Sequence, residues 1–132
     1  MNREIIIKHY KNPINRDKEY LPSAIIGNSK IDSCIDDITL YVDIKDNTIK
    51  DISFNGEACA ICISSTSIMI ENVTGKSLED VLEYIKNFED MIDGNAYDES
   101  ILGEATAYCD LVNQNSRKNC ALLSYKILKK II

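Results

Sequence analysis

The 132-residue chain has no tryptophan, two prolines, two phenylalanines and a single histidine, His9. It also lacks a long apolar run. Nothing approaches the roughly 20 consecutive apolar residues of a membrane span. The opening "MNREIIIKHYKN" offers three isoleucines between charges, too few for the apolar region of a signal peptide, and no small-residue cleavage site follows. A cytoplasmic protein with no membrane partner is the expectation. A surplus of positive charge is missing too. Net charge is −6 and the pI is near 4.7, which argues against binding a phosphate backbone and so against nucleic acid. There is no second Cys-x-x-Cys beside Cys59–Cys62, which excludes a zinc ribbon. The thioredoxin-type Trp-Cys-Gly-Pro-Cys and its βαβ context are absent as well. Five cysteines, an odd number in a reducing compartment, argue against a disulfide framework. The thiols are then core residues, metal ligands or reactive groups.

What is present reads as one domain over residues 1–132, since the length suits a single core and no repeat or low-complexity segment divides it. A short helix over 3–10, with Ile6, Ile7 and Tyr10 on one side, ends before Pro13. Residues 11–33 are irregular, broken by Asn12-Pro13, Pro22 and Gly27-Asn28. "DITLYVDIKDNTIKDISFNG" then alternates. Ile38, Leu40, Val42 and Ile44 share one face, Asp46-Asn47 marks a tight turn, and Ile52 and Phe54 lie on the return strand. A third strand is expected upstream, near 22–27 or 31–34. Helical spacing follows over 58–74, with Ile61, Ile68 and Met69 on one stripe and Gly75 as its stop. Ser77 caps a second helix bearing Leu78, Val81, Leu82, Ile85, Phe88 and Met91. One or two helices fall in 98–113. A last helix runs from Arg117, with Cys120, Leu123 and Ile127 on one face. Strands precede helices, so the fold class is α+β: a small antiparallel sheet of about three strands with helices packed on one face.

The fold puts distant thiols near one another. Antiparallel strands return to where they began, so Cys34 and Asp36 before the hairpin and Cys59 after it share one edge. Cys59 and Cys120 both fall near helix starts, where unpaired N–H groups favour thiolate. Three thiolates and one carboxylate suit zinc, or iron with sulfide. The competing reading is a structural zinc or redox module using Cys59 and Cys62. Against it, Cys62 in a helix followed by "SSTS" reads as a small buried residue. Those hydroxyls read as small side chains that let the helix lie close to the sheet and bond the preceding turn. His9 beside an aromatic and a proline reads as a surface or cap residue, and the acidic residues Asp90, Asp93, Asp98 and Glu99 as a solvated face.

Most of the chain resembles the U-type iron–sulfur scaffold family, which comprises IscU, SufU and the N-terminal domain of NifU. "HYKNPINR" is similar to its His-Tyr-x-Asn-Pro-Arg-Asn opening. "SCIDDITLYVDIKDNTIKDISFNGEACAICISSTSIMIENVTGKSLED" is similar to its Cys-Gly-Asp, hairpin and Gly-x-x-Cys-Ala-Ile-x-x-Ser-x-Ser sequence, and "NCALLSYKIL" to its closing cysteine helix. The resemblance implies iron–sulfur cluster assembly, a metal site of Cys34, Asp36, Cys59 and Cys120 holding zinc or a [2Fe–2S] cluster, and sulfur delivered by a cysteine desulfurase, with Cys120 as persulfide acceptor. Its other implied partners are apo iron–sulfur acceptor proteins. Cys59 and Cys120 are 61 residues apart, the longer spacing of the SufU branch, and the Leu-Pro-Pro-Val-Lys chaperone motif is absent, which argues against an IscU-type chaperone. Asn119 departs from the His of IscU and the Lys of SufU, leaving Arg117 and Lys118 as nearby positive charge. Ile35 replaces the family's Gly, and Ile14 an Arg.

Overall fold

A computed structural model describes residues 2–32 and 35–132. Helix α1 (Arg3–Lys11) leads into a wrapping segment, then strands β1 (Ile25–Lys30), β2 (Asp37–Lys45) and β3 (Thr48–Glu57). Helices α2 (Ala60–Val73), α3 (Leu78–Ile92) and the short α4 (Glu99–Leu102) follow. A run of 3₁₀ turns (Gly103–Asn113) precedes α5 (Asn115–Ile131).

The strands form an antiparallel sheet in the order β1-β2-β3. The hairpin is closed by Asp46 and Asn47, both at positive φ (53° and 60°), the left-handed pair that a two-residue turn matching strand twist needs. Its register pairs Leu40 with Phe54 and Val42 with Ile52, and these side chains, with Ile38, are buried on one face. Helix α5 packs on β1 and β2 and α2 on β3, while α1, the 3₁₀ run and α5 close around α2. Five helices and a three-stranded sheet make the expected α+β fold.

The irregular segment after α1 covers the open edge of β3. Asp17 N–H donates to Phe54 O at 2.8 Å and Phe54 N–H to Asn15 O at 3.2 Å, a short parallel bridge that blunts the edge. Tyr20 stacks on Tyr41 across the outer face, centroids 3.8 Å apart. Tyr125 is buried, stacked on Phe88 at 3.9 Å.

Several expectations are corrected. Strand β1 begins and ends later than 22–27. Helix α1 buries Ile6 and His9, while Ile7 and Tyr10 are exposed. Leu82 is exposed, and Tyr84 is buried instead. Helix α2 has no single apolar stripe: every residue from Cys62 to Ile70 is buried, the pattern of a helix enclosed on all sides. Its hydroxyls therefore join helices rather than thin a contact with the sheet. Ser65 Oγ donates to Ala121 O of α5 at 2.7 Å, Ser67 Oγ accepts Ile14 N–H at 2.8 Å, and Ser64 Oγ bonds the Tyr108 hydroxyl. Ser64 and Thr66 also bond the carbonyls of Ala60 and Cys62 one turn back, at 2.7 and 2.8 Å, as expected.

Candidate metal centre

The hairpin builds the first half of the centre. Asp37 pairs with Glu57 and Ile38 with Gly56, so Asp36 leaves β2 where the chain leaves β3 toward α2. Gly56 makes this approach feasible. Its φ is +126°, and a Cβ there would lie 2.0 Å from Asp37 O. Cys59 is the N-cap of α2 and makes no side-chain cap bond itself. Asp36 stands in: its Oδ1 accepts the Cys59 N–H at 2.6 Å, tying an unpaired donor of the helix start to a buried carboxylate. The Cys59 thiol lies 3.5 Å from the other oxygen, Oδ2.

The second half comes from α5, held beside α2 by the Ser65–Ala121 bond. It delivers Cys120, so that one ligand atom each from Asp36, Cys59 and Cys120 all lie within 4.8 Å of one another. Asp36 and Cys120 are buried and Cys59 is half-buried. Cys34 lies outside the described residues.

The electrostatics favour an added cation. Burial raises the Cys59 thiol above its ordinary pKa; the N–H groups of Cys62 and Ile61 pull it down, Asp36 pushes it up, and burial prevails. Cys120 is raised further, first by burial, then by Asp36 and Cys59. One premise is thereby corrected. Helix α5 starts at Asn115, so Cys120 sits beyond the unpaired N–H groups of its first turn and gains little from that helix end. Two thiols facing a buried carboxylate cannot all ionise without a counter-charge.

The donor set fits a zinc-type ion. Zn–S bonds of about 2.3 Å and Zn–O bonds of about 2.0–2.2 Å in a tetrahedron put sulfur and oxygen roughly 3.5 Å apart, the spacing of Cys59 Sγ and Asp36 Oδ2. Cys62 is outside this cluster, fully buried in α2. Cys109 is exposed near Asp110. Ile35 and Asn119 are exposed at the rim, with Arg117 exposed and Lys118 half-buried. Sequence reasoning missed the Asp36–Cys59 backbone bond, although the Gly56–Cys59 spacing after a hairpin was its signal.

The comparisons with known proteins decide the family. The NifU-like N-terminal domain model matches residues 1–121. The chain belongs to this family of IscU- and SufU-type proteins. It is 37 % identical to a zinc-dependent sulfurtransferase SufU of Bacillus subtilis (strain 168), over 97 % of this chain and 86 % of the relative. It is 34 % identical to the iron–sulfur cluster assembly scaffold protein IscU of Thermotoga maritima, over 83 % of this chain and 78 % of that one. Among solved structures, FiSufU of Fervidobacterium islandicum AW-1 superposes with a TM-score of 0.90. That match has 34 % identity and covers 97 % of this chain and 93 % of that one. Among the described residues of this family member, no helix is long and apolar enough to cross a membrane.

Replacing Cys62 by alanine separates the competing thiol pairings. Zinc binding should be unchanged and stability should fall by about 1 kcal/mol, the loss of one buried sulfur. Zinc titration beside thermal unfolding reads both. A loss of metal as severe as in Cys59→Ala would restore the Cys-x-x-Cys pairing.

Proposed function

We propose that this chain accepts persulfide sulfur from a cysteine desulfurase at a metal site formed by Cys34, Asp36, Cys59 and Cys120. The observation that carries the reading is the convergence of Asp36, Cys59 and Cys120, from three separate elements, on a space of one ion. Zinc bound there would hold the thiols as thiolates while leaving them exchangeable. Similarity to the Bacillus zinc-dependent sulfurtransferase supports zinc as the resident ion.

The residues divide the work. Asp36 is the harder, exchangeable ligand, and its Oδ1 bond to the Cys59 N–H fixes the start of α2. Cys59 anchors the site on the most enclosed helix. Cys120 is the acceptor: its thiolate attacks the outer sulfur of the desulfurase persulfide, the S–S bond breaks, the desulfurase cysteine leaves as thiolate, and Cys120 carries the new persulfide. Cys120 is 7 % exposed, so docking must loosen the start of α5. That end lacks a side-chain cap and follows 3₁₀ turns, the sort of terminus that opens at low cost. The same ligands could hold a nascent [2Fe–2S] cluster as cargo for apo acceptor proteins, a second reading supported by the similarity to the Thermotoga IscU.

Metal analysis of freshly purified protein and desulfurase turnover with and without it test the proposal. Zinc-dependent stimulation is expected. A cluster that transfers to an apo-ferredoxin, with no stimulation of the desulfurase, would favour the scaffold. Asp36→Asn sharpens the test. The amide oxygen can still accept the Cys59 N–H, so the fold should persist, whereas the lost charge should weaken zinc by about tenfold or more. Competition with a chromophoric chelator measures it.

A further inference from the structure

Away from the thiols, α1, α2 and the 3₁₀ run bring one imidazole and two carboxylates together. His9 is 3 % exposed, and its Nε2 lies 3.1 Å from Glu104 Oε1 and 3.4 Å from Glu71 Oε2. One ligand atom from each of the three residues falls within 4.8 Å of the others. The two glutamates are partly exposed, so the cluster opens to solvent on their side. Glu71 lies 12 residues along α2 from Cys59, about 18 Å at 1.5 Å per residue. The two clusters therefore cannot share an ion.

We propose that His9, Glu71 and Glu104 form a second cation site, for a divalent first-row ion such as Zn²⁺ or Mn²⁺. One imidazole nitrogen with carboxylate oxygens is a donor set for these ions, distinct in hardness from the thiol centre. The ring is positioned as a ligating histidine is. Its Nδ1 lies 2.8 Å from Ser67 Oγ, and a fixed partner on the far nitrogen sets the tautomer and orientation of a ligand imidazole. Ser67 Oγ also accepts Ile14 N–H, and a hydroxyl oxygen has lone pairs for both. Lys8 Nζ holds the other oxygen of Glu104, Oε2, at 3.0 Å, which aims Oε1 at the ring. An octahedral ion with bonds of about 2.1 Å sets neighbouring ligand atoms about 3 Å apart, close to the Nε2–Oε1 spacing here. Ion-free, the Nε2–H donates to Glu104. With the ion bound, Nε2 gives its lone pair to the metal and the ring proton moves to Nδ1 and is donated to Ser67.

His9 is the chain's single histidine, so any histidine–metal signal reports this site alone. The experiment uses full-length Cys59→Ala/Cys120→Ala protein, labelled with ¹⁵N at the histidine ring and titrated with Zn²⁺. The Nε2 resonance should shift and saturate, and Glu71→Gln in the same background should weaken the apparent affinity by about tenfold or more. Glu71 is partly exposed, so its thermal midpoint should hold, which separates lost ligation from lost folding. A ring that stays unmoved by millimolar Zn²⁺, or a titration that Glu71→Gln leaves unaltered, would overturn the proposal.

Discussion

Replacing Cys120 by alanine is expected to abolish tight zinc binding and sulfur acceptance together while leaving a folded protein. A structural zinc site contributes about 10–16 kcal/mol over four ligands. Shared evenly, one ligand carries about 3–4 kcal/mol, a hundredfold or more in affinity at about 1.4 kcal/mol per tenfold. The thiol is buried against α2, but removing one sulfur costs the fold only about 1 kcal/mol. Circular dichroism should show native helix content, zinc titration no tight site, and desulfurase turnover no stimulation. After incubation with the desulfurase and alkylation, mass spectrometry should find the added sulfur on Cys120 in the parent protein and nowhere in this variant. Sulfur found on Cys59 instead would move the acceptor role to the more exposed thiol.

Gly56→Ala is expected to be the most damaging single change to the fold. At φ +126° an alanine is strained whatever the surrounding space, and here its Cβ would meet the backbone carbonyl of Asp37 at 2.0 Å. A backbone carbonyl cannot rotate away as a side-chain tip can, so the strands must separate at the point where they deliver Asp36 and Cys59. The cost is about 3 kcal/mol or more. Because the displaced segment carries the centre, zinc affinity should fall even though no ligand is altered. Chemical denaturation and zinc competition on the same sample test both effects. Native stability with weakened zinc would show the strain to be confined to the ligand loop. Native stability with native zinc affinity would refute the close-approach argument.

The hairpin was legible because its side chains alternate between a buried and a half-exposed face, and because Asp46-Asn47 takes the left-handed turn such strands require. That legibility carried the centre, since an antiparallel return puts Asp36 beside Cys59 whatever the rest of the chain does. Strand β1 was less legible. It is a sheet edge whose Ile25 and Ile26 are both exposed, so burial imposes no strict alternation on it. The surroundings of α2 were misread for the opposite reason: a helix buried on every side has no stripe. Its serines read as small residues thinning a contact with the sheet until their partners on α1, α5 and the 3₁₀ run are known. His9 was misassigned for the same cause. Its partners Ser67 and Glu104 are 58 and 95 residues away, beyond the reach of local pattern. The ligand role proposed for Cys34 rests on its place before the hairpin and on the family motif, and the proximity of Cys120 to Cys59 depended on how α5 packs, which spacing alone did not dictate.

X-ray absorption at the zinc edge, on full-length protein loaded with one equivalent of zinc, tests the central claim most directly. The account predicts a shell of three sulfurs and one oxygen, unchanged in Cys62→Ala, and no such sulfur-rich shell in Cys120→Ala, where the tight site is gone. A shell that keeps its sulfur count without Cys120, or loses a sulfur without Cys62, would contradict it.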